Sequence, residues 1–375
     1  MRVPARPLLA VTAAVLSVVL TGATATAART TAVPPVTAAA DTSGRPTVEL
    51  ANWPQAQGKQ LGKLIGRFED QGRYAVFDAD NTIWRYDLEE SLLPFLEMKG
   101  VLTPDTVDPS LRLVPFRAGE SLYGYYNRLC EIDDKVCYPW IAQVFSGLTL
   151  GELKRYVDEL YAYGKPIPVS YDDAGRTVHS TVNPPHIYAG QRELIRSLRE
   201  HGIRVYVMTA AHEELVRMVV SDPKYGLGVP PENVIGVTTL LKDPETGRLT
   251  TARKQIEQGT FGAEYGTERY RRQVVTPYLW TPGTWYVGKL AGIHDYIAEY
   301  ERPVLVAGDS PSDWWMLFYS DARAGGARLW VNRKQAYTDR LEAEKEKRSA
   351  EQKAAGETVD AGREWVTVKP AEIGG

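Results

Sequence analysis

The chain has 375 residues, 43% hydrophobic and 24% charged, a profile that excludes a disordered tail, a collagen-like repeat and a many-span membrane protein. Its 44 Lys and Arg against 47 Asp and Glu give a formal charge of −3, which excludes the broad basic field of a nucleic-acid binder. Tyr and Trp, at 21 and 9, outnumber the 7 Phe, so most rings carry a polar handle suited to a half-wet site.

In chain order, Arg2 and Arg6 precede an apolar run from Leu8 to Leu20, then Ala23-Thr24-Ala25 and Ala27. This is the pattern of a secretory signal over 1–27. The run is shorter than the ~20 residues that span a bilayer. No Cys follows it for lipidation, and its arginines are not twinned. Export to an extracellular or periplasmic space is expected, with no stable membrane insertion. Residues 28–46, rich in Ala, Thr and Pro, read as a flexible leader.

Tyr74-Ala75-Val76-Phe77 reads as a buried strand running into Asp78-Ala79-Asp80-Asn81-Thr82. Helical patterns follow at Asp87–Leu96, Ser121–Cys130 and Thr149–Tyr161. Gln191–His201 is an amphipathic helix closed by Gly202, and Ile203–Met208 is a strand ending at Thr209. Val234–Leu241 and Arg248–Thr251 flank Asp243-Pro244-Glu245-Thr246-Gly247, a hairpin signal. After Gly288-Lys289 a helix is expected to run to Glu301, then a strand, Pro303–Ala307, leading into Gly308-Asp309-Ser310-Pro311-Ser312-Asp313. A charged surface helix over 339–356 and a last strand, Trp365–Val368, complete an alternation that predicts an α/β sheet. Export favours pairing of Cys130 with Cys137; their spacing also suits two unpaired thiols on one helix face, the less favoured alternative. Two thiols without a C-x-x-C do not make a zinc site.

Ligands of open α/β sheets bind beyond the carboxyl ends of the strands, and three of these segments carry reactive side chains there. Alone, each is an ordinary turn; in order and together they form a set. Asp78-x-Asp80-x-Thr82, Thr209, Lys289 and Gly308-Asp309-x-x-x-Asp313 resemble the four motifs of the haloacid-dehalogenase-like (HAD) hydrolase superfamily, over about Tyr74 to Trp330. The resemblance implies a Rossmann-like core with a parallel sheet (47–85 and 189–338) and a mainly helical C1-type cap (86–188). A small β-hairpin insertion and a C-terminal helix and strand (339–375) complete the expected layout. It implies Asp78 as nucleophile, forming an aspartyl-phosphate, and Asp80 as general acid and base. Thr209 and Lys289 would hold the phosphoryl oxygens. Mg²⁺ would sit on the Asp78 side chain, the Asp80 carbonyl and Asp309, with Asp313 orienting Lys289 or a metal-bound water from behind. Asp80 points to phosphoryl chemistry, because a dehalogenase has no alkoxide to protonate.

The expected cap carries Trp84, Tyr86, Tyr123, Tyr125, Tyr126, Tyr138 and Trp140 beside Glu89, Glu90, Glu131, Asp133 and Asp134. Rings and carboxylates together suit a quaternary ammonium group. Tyr86-Asp87-Leu88-Glu89-Glu90-Ser91, Leu129-Cys130-Glu131-Ile132-Asp133-Asp134, Thr209-Ala210-Ala211-His212 and Thr276-Pro277-Tyr278-Leu279-Trp280 resemble the secreted bacterial phosphorylcholine phosphatases. That resemblance implies Glu90 as a choline-headgroup residue, and Trp84, Tyr86 and Tyr126 are the expected rings beside it. Two departures from the pattern are Thr209 in place of Ser and a Gly308–Asp313 loop one residue shorter. His212 and His294 are expected to be structural. The expected function is Mg²⁺-dependent hydrolysis of phosphorylcholine, a small-molecule substrate. The alternatives are phosphoserine, phosphoethanolamine or a sugar phosphate as substrate, or an inert exported choline-binding protein.

Overall fold

The computed structural model describes residues 48–173 and 175–374; the expected signal and leader lie outside them. After helix α1 (Gln55–Phe68), strand β1 (Tyr74–Phe77) enters the centre of the main sheet. The chain leaves through β2 (Trp84–Arg85) into α2 (Leu88–Met98), α3 (Leu122–Ile132), α4 (Asp134–Gln143) and α5 (Leu150–Tyr163). A hairpin of β3 (Ile167–Asp173) and β4 (Arg176–Val182) follows, and the chain returns through β5 (His186–Ile187). β2 and β5 pair antiparallel, Trp84 opposite Ile187 and Arg85 opposite His186. Entry to and exit from the inserted helices are therefore one two-stranded ribbon.

The remaining elements alternate. They are α6 (Ala189–Glu200), β6 (Arg204–His212), α7 (Glu213–Val220), β7 (Val234–Lys242) and β8 (Leu249–Thr250). Three short helices follow, α8 (Ala252–Glu257), α9 (Phe261–Glu264) and α10 (Glu268–Arg271), then β9 (Val274–Trp280) and α11 (Val287–Tyr296). The chain ends with β10 (Leu305–Gly308), α12 (Trp314–Tyr319), β11 (Ala327–Val331), α13 (Gln335–Ala354) and β12 (Trp365–Val368). The sheet order is β12-β11-β10-β1-β6-β7-β8, with β9 also on β7. β12 through β7 are mutually parallel.

Both faces of this sheet are covered, which is why β1 is an unbroken apolar run. Ala75 and Phe77 face one apolar cluster with α1 and α6, while Tyr74 and Val76 face the other with α11, α12 and α13. Burying each larger side chain stabilises the fold by roughly 2 kcal/mol.

Two expectations change, and the favoured pairing of the cysteines is found. The Asp243–Gly247 turn does join two strands, but β7 is a core strand, so the hairpin is an outgrowth of the main sheet, not a separate insertion. β6 continues past Thr209 to His212, its register broken between Met208 and His212, where the Thr209 hydroxyl accepts the Ala211 amide. Cys130 and Cys137 do not share a helix. Asp133 ends α3 and caps α4 by accepting the Lys135 amide, and the two cysteines are joined as a disulfide across that break. Among the described residues no helix is long and apolar enough to cross a membrane.

Candidate active site

β1, β6, β10 and β11 all end at one cavity of about 240 Å³, below the ~300–1,000 Å³ of drug-sized pockets. Asp78, Asp80, Thr209, Lys289 and Asp309 line it. Lys289, 1% exposed, donates to Asp78 Oδ1 and to Asp313 Oδ1, both at 2.6 Å. The other oxygen of Asp313 accepts the amides of Asp309 and Ser310 at 3.0 Å each. The Gly308–Asp313 loop, though short, thus folds back so that Asp313 fixes both the lysine and its own turn. Gly308 permits this, since a Cβ there would lie 2.6 Å from that of Asp313. Thr82 donates to Asp309 Oδ1 at 3.2 Å. Asp80 Oδ1 accepts the Trp84 indole N–H at 2.7 Å and the Leu88 amide at 2.8 Å.

Burial, with Asp313 and Asp309 nearby, pushes the Asp78 carboxyl well up against the pull of Lys289. Burial and Asp87 do the same to Asp80, while the Leu88 amide and Trp84 indole oppose them. Asp309 is raised to about 6 and Asp87 to about 7, both chiefly by burial. Lys289 is raised despite its burial, because two carboxylates hold its charge. The site therefore has more carboxylates than cations to balance them. Oxygens of Asp78, Asp309 and Asp313 lie within 4.8 Å of one another, a hard donor set that fits a divalent cation. All three also hold protein partners: Asp313 binds Lys289 and two amides, Asp309 binds Thr82 and Arg333, and Asp78 binds Lys289.

The same cavity is lined by Asp87, the N-cap of α2, by Glu89 and Glu90 of α2, and by Tyr126 of α3 and Tyr138 of α4. The Tyr126 hydroxyl donates to Glu90 at 3.0 Å, and Glu89 accepts the His212 amide at 2.9 Å. No family model matches the chain. A curated relative, the phosphorylcholine phosphatase of Pseudomonas aeruginosa, is 58% identical over 330 residues, which span 87% of this chain and 93% of the relative. The chain belongs to the phosphorylcholine phosphatase family. It is accordingly a phosphomonoester hydrolase. A functionally unknown protein from Anaerococcus prevotii shares the fold, with a TM-score of 0.55 and 18% identity over 86% of this chain and 97% of its own. A HAD family hydrolase from Salmonella enterica serovar Typhi aligns over 72% of this chain and 68% of its own, at a TM-score of 0.40 and 10% identity.

Within this family member, two expected headgroup rings lie elsewhere. Trp84 is fully buried beneath Asp80, its only polar atom turned onto that carboxylate. Tyr86, at φ 71°, turns toward a separate cleft with Tyr161, Pro184 and Arg192, its amide held by Asn81 Oδ1. Both corrections have one cause: the chain turns sharply between β1 and β2, so ring position cannot be read from sequence nearness. Tyr125 and Trp140 pack on each other, bonded to the backbone of Val114 and Leu111. His212 is buried and bonded to Thr239, and burial lowers it to about 4, so it stays neutral. The exposed His294 ring bonds to the Glu299 carbonyl.

Arg333 was not read from the sequence, yet it lines the cavity and pairs with Asp309 Oδ2. Lys334 and Tyr337 line the same wall. The signal was available: Asn332-Arg333 directly follows β11, a fourth strand end on the same rim.

Proposed function

We propose that the protein is an exported, Mg²⁺-dependent phosphatase that hydrolyses phosphorylcholine to choline and phosphate through an aspartyl-phosphate on Asp78. One observation carries the substrate reading. A single small cavity is lined both by phosphoryl-handling groups (Asp78, Thr209, Lys289) and by carboxyl and tyrosine side chains (Glu89, Glu90, Tyr126, Tyr138). A quaternary ammonium needs no hydrogen-bond donor, only ring faces and a compensating negative charge. Burial raises Glu90, while the Tyr126 hydroxyl, Arg333 and Lys334 favour its charged form. A cation beside it completes that balance. The name and activity of the Pseudomonas relative support the same reading.

The Asp78 carboxylate attacks phosphorus while Lys289 and Thr209 stabilise the equatorial oxygens. Asp80 gives its proton to the departing choline oxygen, then takes one from the water that cleaves the aspartyl-phosphate. When bound by Asp78, the Asp80 carbonyl and Asp309, Mg²⁺ supplies the charge neutralisation that lets carboxylates approach a phosphate dianion. Arg333 steadies Asp309 at the rim. The inserted helices cover the site and keep out bulk water.

A phosphate-release panel tests this, comparing phosphorylcholine, phosphoethanolamine, phosphoserine and p-nitrophenyl phosphate with Mg²⁺ or with EDTA. The expected outcome is turnover lost in EDTA and phosphorylcholine preferred. Glu90→Ala is expected to raise KM for phosphorylcholine about tenfold, with little effect on p-nitrophenyl phosphate. Equal rates on all four refute the headgroup reading, and no turnover on any favours the choline-binding alternative.

A further inference from the structure

Trp84 has a geometry that ring packing does not account for. It is 0% exposed, and its indole N–H is spent on Asp80 Oδ1, 2.7 Å away. The same oxygen accepts the first amide of α2, from Leu88, at 2.8 Å. That amide is one of the helix-start N–H groups that have no partner within the helix. Two N–H donors on one carboxyl oxygen make it the carbonyl-like oxygen in the protonated acid, since a hydroxyl oxygen is the poorer acceptor. The backbone adds a further restraint: the Thr82, Ile83 and Trp84 amides all turn back to the Ala79 carbonyl. Both donors lie where the chain enters the insertion. Trp84 stands on β2, paired with the returning strand β5, and Leu88 opens the insertion's first helix.

We propose that Trp84 is a positioning residue for proton transfer, holding Oδ1 of Asp80 as an acceptor and so assigning the transferable proton to Oδ2. The proposal rests on the reading of Asp80 as the general acid. In the first step the Asp78–phosphorus bond forms and the bond from phosphorus to the alcohol oxygen breaks. The Oδ2–H bond breaks with it, its proton passing to that oxygen and leaving Asp80 a carboxylate. In the second step a water oxygen bonds to phosphorus as the Asp78–phosphorus bond breaks, and the Asp80 carboxylate takes that water's proton, so phosphate is released and both side chains return to their starting states. Asp80 is thus aligned by the strand and helix that lead into the cap, not by the core alone.

The test uses leaving groups. Choline is a poor leaving group that needs its proton, whereas p-nitrophenolate leaves without one. kcat/KM reports the first step alone, where the two substrates differ. Trp84→Phe is expected to lower kcat/KM for phosphorylcholine about 30-fold, and for p-nitrophenyl phosphate by no more than about threefold. Replacing Trp84 by benzothienylalanine keeps the ring volume and removes only the N–H, so the same split is expected if the Phe variant folds poorly. Asp80→Asn is the reference and should show a larger split of the same kind. An Asp80→Asn variant that loses both substrates alike overturns the general-acid reading itself. A selective Asp80→Asn loss beside Trp84 variants that lose both substrates equally, or neither, overturns the role of Trp84 and leaves the acid in place.

Discussion

Asp78→Asn is expected to abolish phosphate release while leaving the fold intact. The amide cannot attack phosphorus, so no aspartyl-phosphate forms, and kcat is expected to fall at least about 10⁴-fold. Stability should hold or rise, for a physical reason. Asp78 is buried with Asp309 and Asp313 nearby, and burial and that repulsion already push its carboxyl up. An amide oxygen can still accept from Lys289 at the place where Asp78 Oδ1 does, 2.6 Å away. Phosphate release and thermal unfolding on the same preparation check both halves. Activity above a hundredth of wild type would mean that another group is the nucleophile.

Lys289→Met is expected to damage both catalysis and folding. A buried cation aimed at developing charge contributes more than an ordinary oxyanion donor, so kcat/KM should fall about 10³-fold. Removing it also leaves two buried carboxylates, Asp78 and Asp313, without their shared ammonium. Breaking a buried pair from one side costs about 3 kcal/mol or more. The pH dependence follows from sign. Lys289 lowers Asp78, so its loss raises that carboxyl further above its unfolded value. A raised carboxyl contributes stability below the unfolded pKa and loses it as pH rises through the folded one. The deficit of the Met variant should therefore be largest near neutrality and shrink toward pH 4, as denaturant titrations at both pH values would show. Lys289→Arg keeps the charge and should recover much of the stability but little of the activity, because a planar fork does not replace a point charge.

Much of this site was legible because its chemistry sits at strand ends. Tyr74–Phe77 and Ile203–Met208 are plain apolar runs, and Asp78, Asp80, Thr209 and Asp309 follow such runs directly. The structure brings all four into one cavity. Arg333 obeys the same rule after β11 and was overlooked because one arginine after a strand carries no spacing signature. Trp84 was misplaced for a different reason. Its direction is set by the reversal over Ala79, a tertiary fact that no periodicity encodes. The β3–β4 hairpin escaped notice because β4 has no buried residue and β3 buries only Ile167 and Val169, too short an apolar alternation to stand out. The cysteine pair turned on whether the helix breaks at Asp133, and the sequence allowed either outcome.

The central claim, that the cavity reads a quaternary ammonium by its charge, is tested most directly by an uncharged twin of the substrate. Phosphorylcholine and 3,3-dimethylbutyl phosphate have the same shape and comparably poor leaving groups, and differ in one nitrogen. A desolvated cation–π contact contributes about 2 kcal/mol or more, and the Glu90 carboxylate adds to it, so kcat/KM should favour phosphorylcholine at least about 30-fold. Equal values for the two would contradict the account, leaving a phosphatase that recognises only bulk.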